Sequence, residues 1–395
     1  MVKLFRIPRV DKFKCQGFKW VLVCLLQVPV IQTLGQDDEQ KLFLRGYLKD
    51  LVTFNFNEEL DRTLIDNLVH NRINVSWFPG EHLSVKLGMR NRMMTGDFVQ
   101  LIPNYKDFVD VDNDYFDLSW TIMDRNSIVI HSILDRAYLT WIKDDLEITA
   151  GRQRINWGLN LVWNPNDIFN TYSFFDFDYE ERQGTDGIRV QYYTGVASSV
   201  ELAGRIADRW DETTIGMLWK TNQWDYDIQF LTGIANEEVV LGLGWAGRIG
   251  NAGFKGEGTW FVNDKTTEEN QFLGSISADY SFENSLYLHV SILYNSLGDV
   301  QPAINNFSSF SVEKLNVKSI SPYTYSTFLQ LNYNLHPLIS GGIASIYYPG
   351  GSHDYFFSPS ITFSLIQNLD FDLIGQYFVS ESTAKLIFTR LKWSF

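Results

Sequence analysis

Basic side chains recur at even spacings through the first half of this sequence: Arg45 and Lys49, Arg72, then Lys86, Arg90 and Arg92, Arg136, Arg152 and Arg154, and Arg189. Residues two or four apart share one face of a β-strand. Cations ranked on one wall attract anions and orient polar solutes. An acidic, aromatic stretch, LNLVWNPNDIFNTYSFFDFDYEERQGTD, follows Gly158 directly. It carries Trp163, Asn164, Asp167, Asp176, Asp178, Glu180 and Glu181. Carboxylates set opposite arginines across a gap make a transverse field, a device that selects charged or dipolar solutes.

Other chemistries find less support. The six histidines form no H-E-x-x-H, and no G-x-S-x-G elbow is present. His289 and Ser291 share an inward face, which reads as lumen lining rather than a catalytic pair, so no enzyme and no cofactor are expected. Asp110, Asp112 and Asp114 in DVDNDYFD have calcium-ligand spacing but lack the Gly and the Glu of an EF-hand loop. They form a weak Ca²⁺ candidate beside the simpler reading of a solvated acidic loop. The formal net charge of −14 argues against a nucleic-acid partner.

Strands must position these residues. HLSVKLGMRNRM (82–93) sets Leu83, Val85, Leu87 and Met89 on one face and Ser84, Lys86 and Arg90 on the other. SLYLHVSILY (285–294) and LDFDLIGQYF (369–378) alternate likewise. Eighteen such segments run from 41–54 to 384–395, among them 68–78 and 146–157. Alternate connections are tight, as at PGE (79–81) and KDD (143–145), while 93–127, 158–185 and 296–322 are long. Aromatic residues make up 15%, with 29 Phe, 19 Tyr and 12 Trp. Beyond the N-terminus no apolar run is long enough for a membrane helix. Together these features predict an all-β transmembrane antiparallel barrel of about 18 strands, with short periplasmic turns and long extracellular loops. A soluble β-sandwich or propeller is the competing architecture, and no blade-length repeat supports it.

The N-terminus is basic (Lys3, Arg6, Arg9, Lys12, Lys14, Lys19) and continues into the apolar WVLVCLLQVPVIQTLG. Residues 1–36 are expected to be a secretory signal peptide rather than an anchor helix, leaving 37–395 as one outer-membrane barrel domain. Both cysteines, Cys15 and Cys24, lie in the first part. LIFTRLKWSF ends on Phe395 with its apolar residues in phase, resembling the signal read by barrel-assembly machinery.

In strand 146–157 the alternation breaks near Gly151. A one-residue bulge there would turn Arg152, Arg154 and Asn156 inward, whereas an Arg facing midplane lipid costs about 2–4 kcal/mol. The same parity turns the other cations inward, and acids are nearly missing from the inward positions of these first six strands. The order Gly151-Arg152-Gln153, Trp157-Gly158 and Trp163-Asn164-Pro165 resembles outer-membrane porin families that include alginate-export-type barrels and related Bacteroidota-type barrels. That resemblance covers about forty residues and implies a positively charged lumen with Arg152 in the motif position. The segment after it departs from that family, so the polysaccharide substrate is not carried over.

The expected function is an outer-membrane porin or substrate-selective passive diffusion channel of a Gram-negative bacterium. Its basic wall faces an inward-folded loop and favours anionic or polar solutes. The alternative is a closed structural barrel, a subunit of a larger complex that binds outer-membrane protein partners through its loops. Expected partners are outer-membrane lipid and lipopolysaccharide, assembly machinery at Phe395, and a small polar or anionic solute.

Overall fold

The computed structural model describes residues 41–57, 62–110, 114–171, 174–175, 178, 180–207, 209–263, 269–299, 316–350, 354–380 and 383–395. The expected signal peptide, Asp112 and Asp176 lie outside them. The strands are β1 (Leu42–Asn57), β2 (Arg62–Gly80), β3 (Leu83–Gly96), β4 (Ser119–Arg125), β5 (Ile128–Lys143), β6 (Leu146–Gln153), β7 (Thr185–Gly195), β8 (Ser198–Arg205), β9 (Thr214–Gln223) and β10 (Tyr226–Ala235). They continue as β11 (Glu238–Ile249), β12 (Ala252–Val262), β13 (Gln271–Ser281), β14 (Tyr287–Asn295), β15 (Tyr325–His336), β16 (Ile339–Tyr347), β17 (Tyr355–Ile366), β18 (Leu369–Val379) and β19 (Thr383–Ser394).

Every pairing between these strands is antiparallel, and β1 pairs with β19 from Tyr47↔Ser394 to Phe56↔Lys385, which closes the ring. Phe395 exchanges backbone hydrogen bonds with Gly46 at this seam, both at 2.9 Å. β3 pairs directly with β5, so the closed wall has eighteen strands and β4 is an addition. Strand closure leaves no edge and satisfies the backbone within the sheet, as a bilayer requires. Two-residue turns help fix the registers. Trp224 and Asp225, and again Asn236 and Glu237, have φ between 51° and 69°, the conformation of the tightest hairpins.

Three local features differ from the sequence reading. Loop 93–127 contains two short helices, α1 (Asp97–Leu101) and α2 (Tyr105–Val109), and then β4, which was not expected. β4 pairs with the upper part of β5, on the edge that β6 occupies lower down, and so fills the wall where β6 has left it. β6 ends at Gln153, not at 157, because the chain there turns off the wall into the lumen. Finally, the bulge expected at Gly151 is absent: β6 pairs through it without a register shift on either edge. Gly151 takes φ 115° instead, and a Cβ there would lie 2.3 Å from the Ala137 carbonyl oxygen. The register shift sits on β5, where Gly88 pairs Arg136 but Met89 pairs Leu134, leaving Asp135 as the extra residue.

Candidate functional site

The described residues of 154–184 lie inside the barrel, anchored in three successive places. Each anchor combines polar bonds to the wall with apolar packing.

The first anchor lies against β8 to β13. Ile155, Trp157, Ile168 and Phe169 pack on inward-facing Ala203, Leu218, Leu231, Val240, Phe261 and Leu273. Trp157 is 1% exposed; its indole N–H donates to Glu201 Oε1 at 2.7 Å and its carbonyl accepts from Gln229 at 2.8 Å. Gly158 is required by the fold of the loop, because a Cβ there would stand 2.4 Å from Asn164 Oδ1. Glu257 of β12 accepts three backbone N–H bonds, from Leu159 (3.1 Å), Asn160 (2.9 Å) and Asn166 (3.1 Å). Asn160 donates to Ser275 and accepts from Ser277, while Asn166 donates to the Leu243 carbonyl and accepts from Thr259. A buried carboxyl group thus replaces water for a turn of chain that would otherwise lose its hydrogen bonds.

Asp167 is fully buried in this lobe, and burial pushes its carboxyl up to about 7 against the opposing pull of Arg154 and Arg182. Asn164, 6% exposed, helps shape the turn by accepting the Asp167 N–H at its carbonyl. The second anchor is aromatic. Trp163 packs edge-on against Phe328 of β15, Phe174 against Phe328 at 4.8 Å, and Phe175 against Phe356 of β17 at 5.0 Å.

The third anchor is ionic and lies across the seam. The Asp178 carboxylate forms an ion pair with Lys49 Nζ at 2.9 Å and meets His70 Nδ1 at 3.2 Å, while its backbone carbonyl accepts from Lys49. Burial alone would raise the Asp178 carboxyl, but the His70 hydrogen bond and the Lys49 charge bring it below the usual carboxylate range. Glu181 accepts from the Tyr47 hydroxyl at 2.9 Å and lies 3.5 Å from Arg72. Glu180 pairs with Lys392 (2.8 Å) and Arg390 (3.8 Å) of β19.

The loop acids and the wall cations are therefore in direct contact, not held apart across a gap as expected. Acids also occur among the first six strands, correcting the expectation that they are nearly missing. The register shift on β5 puts Asp135, 0% exposed, against Arg72, in a bidentate pair at 2.7 and 2.9 Å. Glu147 pairs with Arg189. Arg152 does not line the lumen: it is 2% exposed, bonded to both carboxylate oxygens of Asp186 at 2.9 Å and to the carbonyl of Phe116. It stitches β6 and β7 to the segment leading into β4.

Arg90 donates to His70, and Arg92 donates to the Val109 carbonyl and contacts His131. Arg136 donates to three carbonyls, those of Asp135, Glu181 and Arg182. Lower on the same wall, Arg45 and Lys86 line a cavity of about 290 Å³ with Phe43, Asn74, Ser76 and Phe78. No carboxylate of the described residues pairs with either of these two.

Of the calcium candidate, Asp112 lies outside the described residues, and Asp110 and Asp114 have separate partners. Asp110 accepts from His131, Ser119 and Thr121, while Asp114 accepts from Thr185 and pairs with Arg205. Among the described residues no group of three acids, histidines or cysteines could hold a metal. His289 and Ser291 are both buried but make no hydrogen bond to each other. The anchors Glu201, Gln229 and Asn166 escaped sequence reasoning; the density of Asn in 156–170 was the available signal.

No family model and no curated protein matches the sequence. Solved structures do match in fold. Acinetobacter baumannii OccAB4 is 8% identical with a TM-score of 0.58, covering 90% of this chain and 98% of its own. Pseudomonas aeruginosa OccK8 (OprE) is 9% identical, TM-score 0.54, with 90% and 98% covered. The outer-membrane protein OpdK of the same organism is 9% identical, TM-score 0.52, again with 90% and 98% covered.

Proposed function

We propose that this chain is a passive outer-membrane channel of a Gram-negative bacterium, and that its path runs beside the charged wall of β1 to β3 and β19. One observation carries the reading: the two sides of the lumen differ in wetness. Against β8 to β18 the loop is packed dry. On the other side Glu180 keeps 41% of its side chain exposed, and Lys392 and Arg390 keep 20% and 14%. Below them stand Arg45 and Lys86, cations without a carboxylate partner among the described residues, and an uncompensated cation attracts an anion where a neutralised one does not. The anionic or polar preference thus comes from Arg45, Lys86 and Arg136 rather than from Arg152 or Arg72. The porin-type fold supports a channel and gives no reason to expect catalysis.

The second reading, a closed structural barrel that binds outer-membrane partners through its loops, is favoured by the completeness of the three anchors. Single-channel conductance of the refolded chain in a planar bilayer, with reversal potentials in a salt gradient, separates the two. A steady, anion-preferring conductance that turns toward cations in Arg45→Glu/Lys86→Glu supports the channel. A silent bilayer overturns it and leaves the closed barrel.

A further inference from the structure

The outer side of β1, β2, β3 and β5 carries a polar row that a lipid-facing wall should not have. On these strands Tyr47, Lys49, Arg72 and Arg90 occupy the lumen side, so the alternate positions face outward. Among those are Asp50, Asn67, Asn71 and Asn91, which reach the surface, and Ser132, which is buried at the end of the row. They are bonded in sequence across the wall. Asn67 donates to Asp50 at 2.5 Å, Asn71 to the Tyr47 carbonyl at 3.2 Å, Asn91 to Asn71 at 3.2 Å, and Ser132 to Asn91 at 2.7 Å. Apolar outward residues lie beyond the row in both directions, Leu48 and Ile73 one way and Phe54 and Ile65 the other, so the row is inside the apolar band and not at its rim. The same side of β9 to β11 is apolar, with Ile215, Met217, Phe230, Leu241 and Leu243 all exposed.

Hydrocarbon offers nothing to the second amide hydrogen of each Asn, nor to the remaining oxygen of Asp50. A protein surface does. We propose that this face is covered by the same face of a second copy of this chain. The row is acidic at its β1 end and rich in amide donors toward β2 and β3. A two-fold axis along the membrane normal sets the acidic end of one row against the donor end of the other. The footprint is adequate. Four strands of 16, 19, 14 and 16 residues at roughly 4.8 Å spacing and 3.4 Å rise present about 1,100 Å². A standard interface takes about 800 Å² from each partner. The inference rests on the outward face and is independent of what the lumen passes.

Cross-linking in native outer membranes tests it. Asn71→Cys, treated with a mild oxidant or a short bis-maleimide, should give a species of twice the chain mass. Leu241→Cys, exposed on the opposite wall, should give several-fold less. A second variant, Asp50→Leu/Asn71→Leu/Asn91→Leu, should run as a monomer in native mass spectrometry while keeping the heat-modifiable gel migration of a folded barrel. If Asn71→Cys links no better than Leu241→Cys, links only to a different protein, or if the triple variant stays dimeric, the proposal falls. Should the triple variant not fold, the single cysteine, which leaves the rest of the row in place, still decides.

Discussion

The two sides of this barrel solve the problem of a filled interior in opposite ways. Along β8 to β13 the loop meets the wall through Trp157, Phe169, Leu218 and Leu273, with Glu257, Gln229 and Thr259 bonding its backbone and Asn166. Along β1, β2, β5 and β19 it meets the wall through Asp178, Glu180 and Glu181 against Lys49, Arg72 and Lys392. Apolar packing gains stability from every atom removed from water, whereas buried ion pairs roughly cancel their own desolvation. The first side therefore fixes the position of the loop. The second fixes its register while leaving Glu180 and its cationic partners partly open to water.

Four changes probe that contrast. The largest effect is expected from Glu257→Ala, which strands three backbone donors at ~1–3 kcal/mol each and should cost on the order of 5 kcal/mol in reversible unfolding. The same variant should make single-channel recordings noisy, since the loop loses its dry anchor. Next, Arg72→Ala leaves Asp135 buried without its bidentate partner, and about 3–5 kcal/mol should be lost. Arg72→Met/Asp135→Leu should recover most of it, and a double-mutant cycle measures this. If Arg72→Ala proves harmless, the ionic side is ornamental and the contrast fails.

A smaller effect concerns the loop that carries α2. The hydrogen bond from His131 holds the Asp110 carboxyl down at about 2, assisted by Ser119 and Thr121. A depressed carboxylate contributes stability above its ordinary value of 3.8, and that contribution is lost as pH falls through about 2. Proteolytic nicking of 97–118 by an acid-active protease should accordingly rise across that window, and Asp110→Asn should remove the step. The least effect on stability, within about 0.5 kcal/mol, is expected for Arg45→Glu/Lys86→Glu, since neither side chain is buried in a network. Its ion selectivity should nevertheless change most.

How far these features could be read from the sequence follows from what each depends on. Alternation along Leu83 to Arg92 or Leu369 to Tyr377 is local, so the barrel and its eighteen wall strands were legible. The inward course of 158–185 was legible too, because a stretch that aromatic has to be covered by something. Asp135 went unnoticed because a register shift is decided by the neighbouring strand, and alternation along one strand does not reveal it. Arg152 was misplaced for a related reason: β4 and the segment before it complete the wall there, and a side chain that looked like lumen lining became mortar. The pairing of Glu257 with three amides nearly a hundred residues earlier had no local signature at all.

The seam between β1 and β19 joins strands more than three hundred residues apart in sequence, the most expensive loop to close in the molecule. Asp178 touches Lys49 on one flank of that seam and Glu180 touches Lys392 on the other. The internal segment therefore acts as a keystone: the pair of strands farthest apart in sequence is clasped from inside by a piece of chain that is anchored elsewhere as well. Ring closure and filling of the interior are thereby coupled through shared contacts, and a barrel with its first anchor broken should close less tightly at the seam.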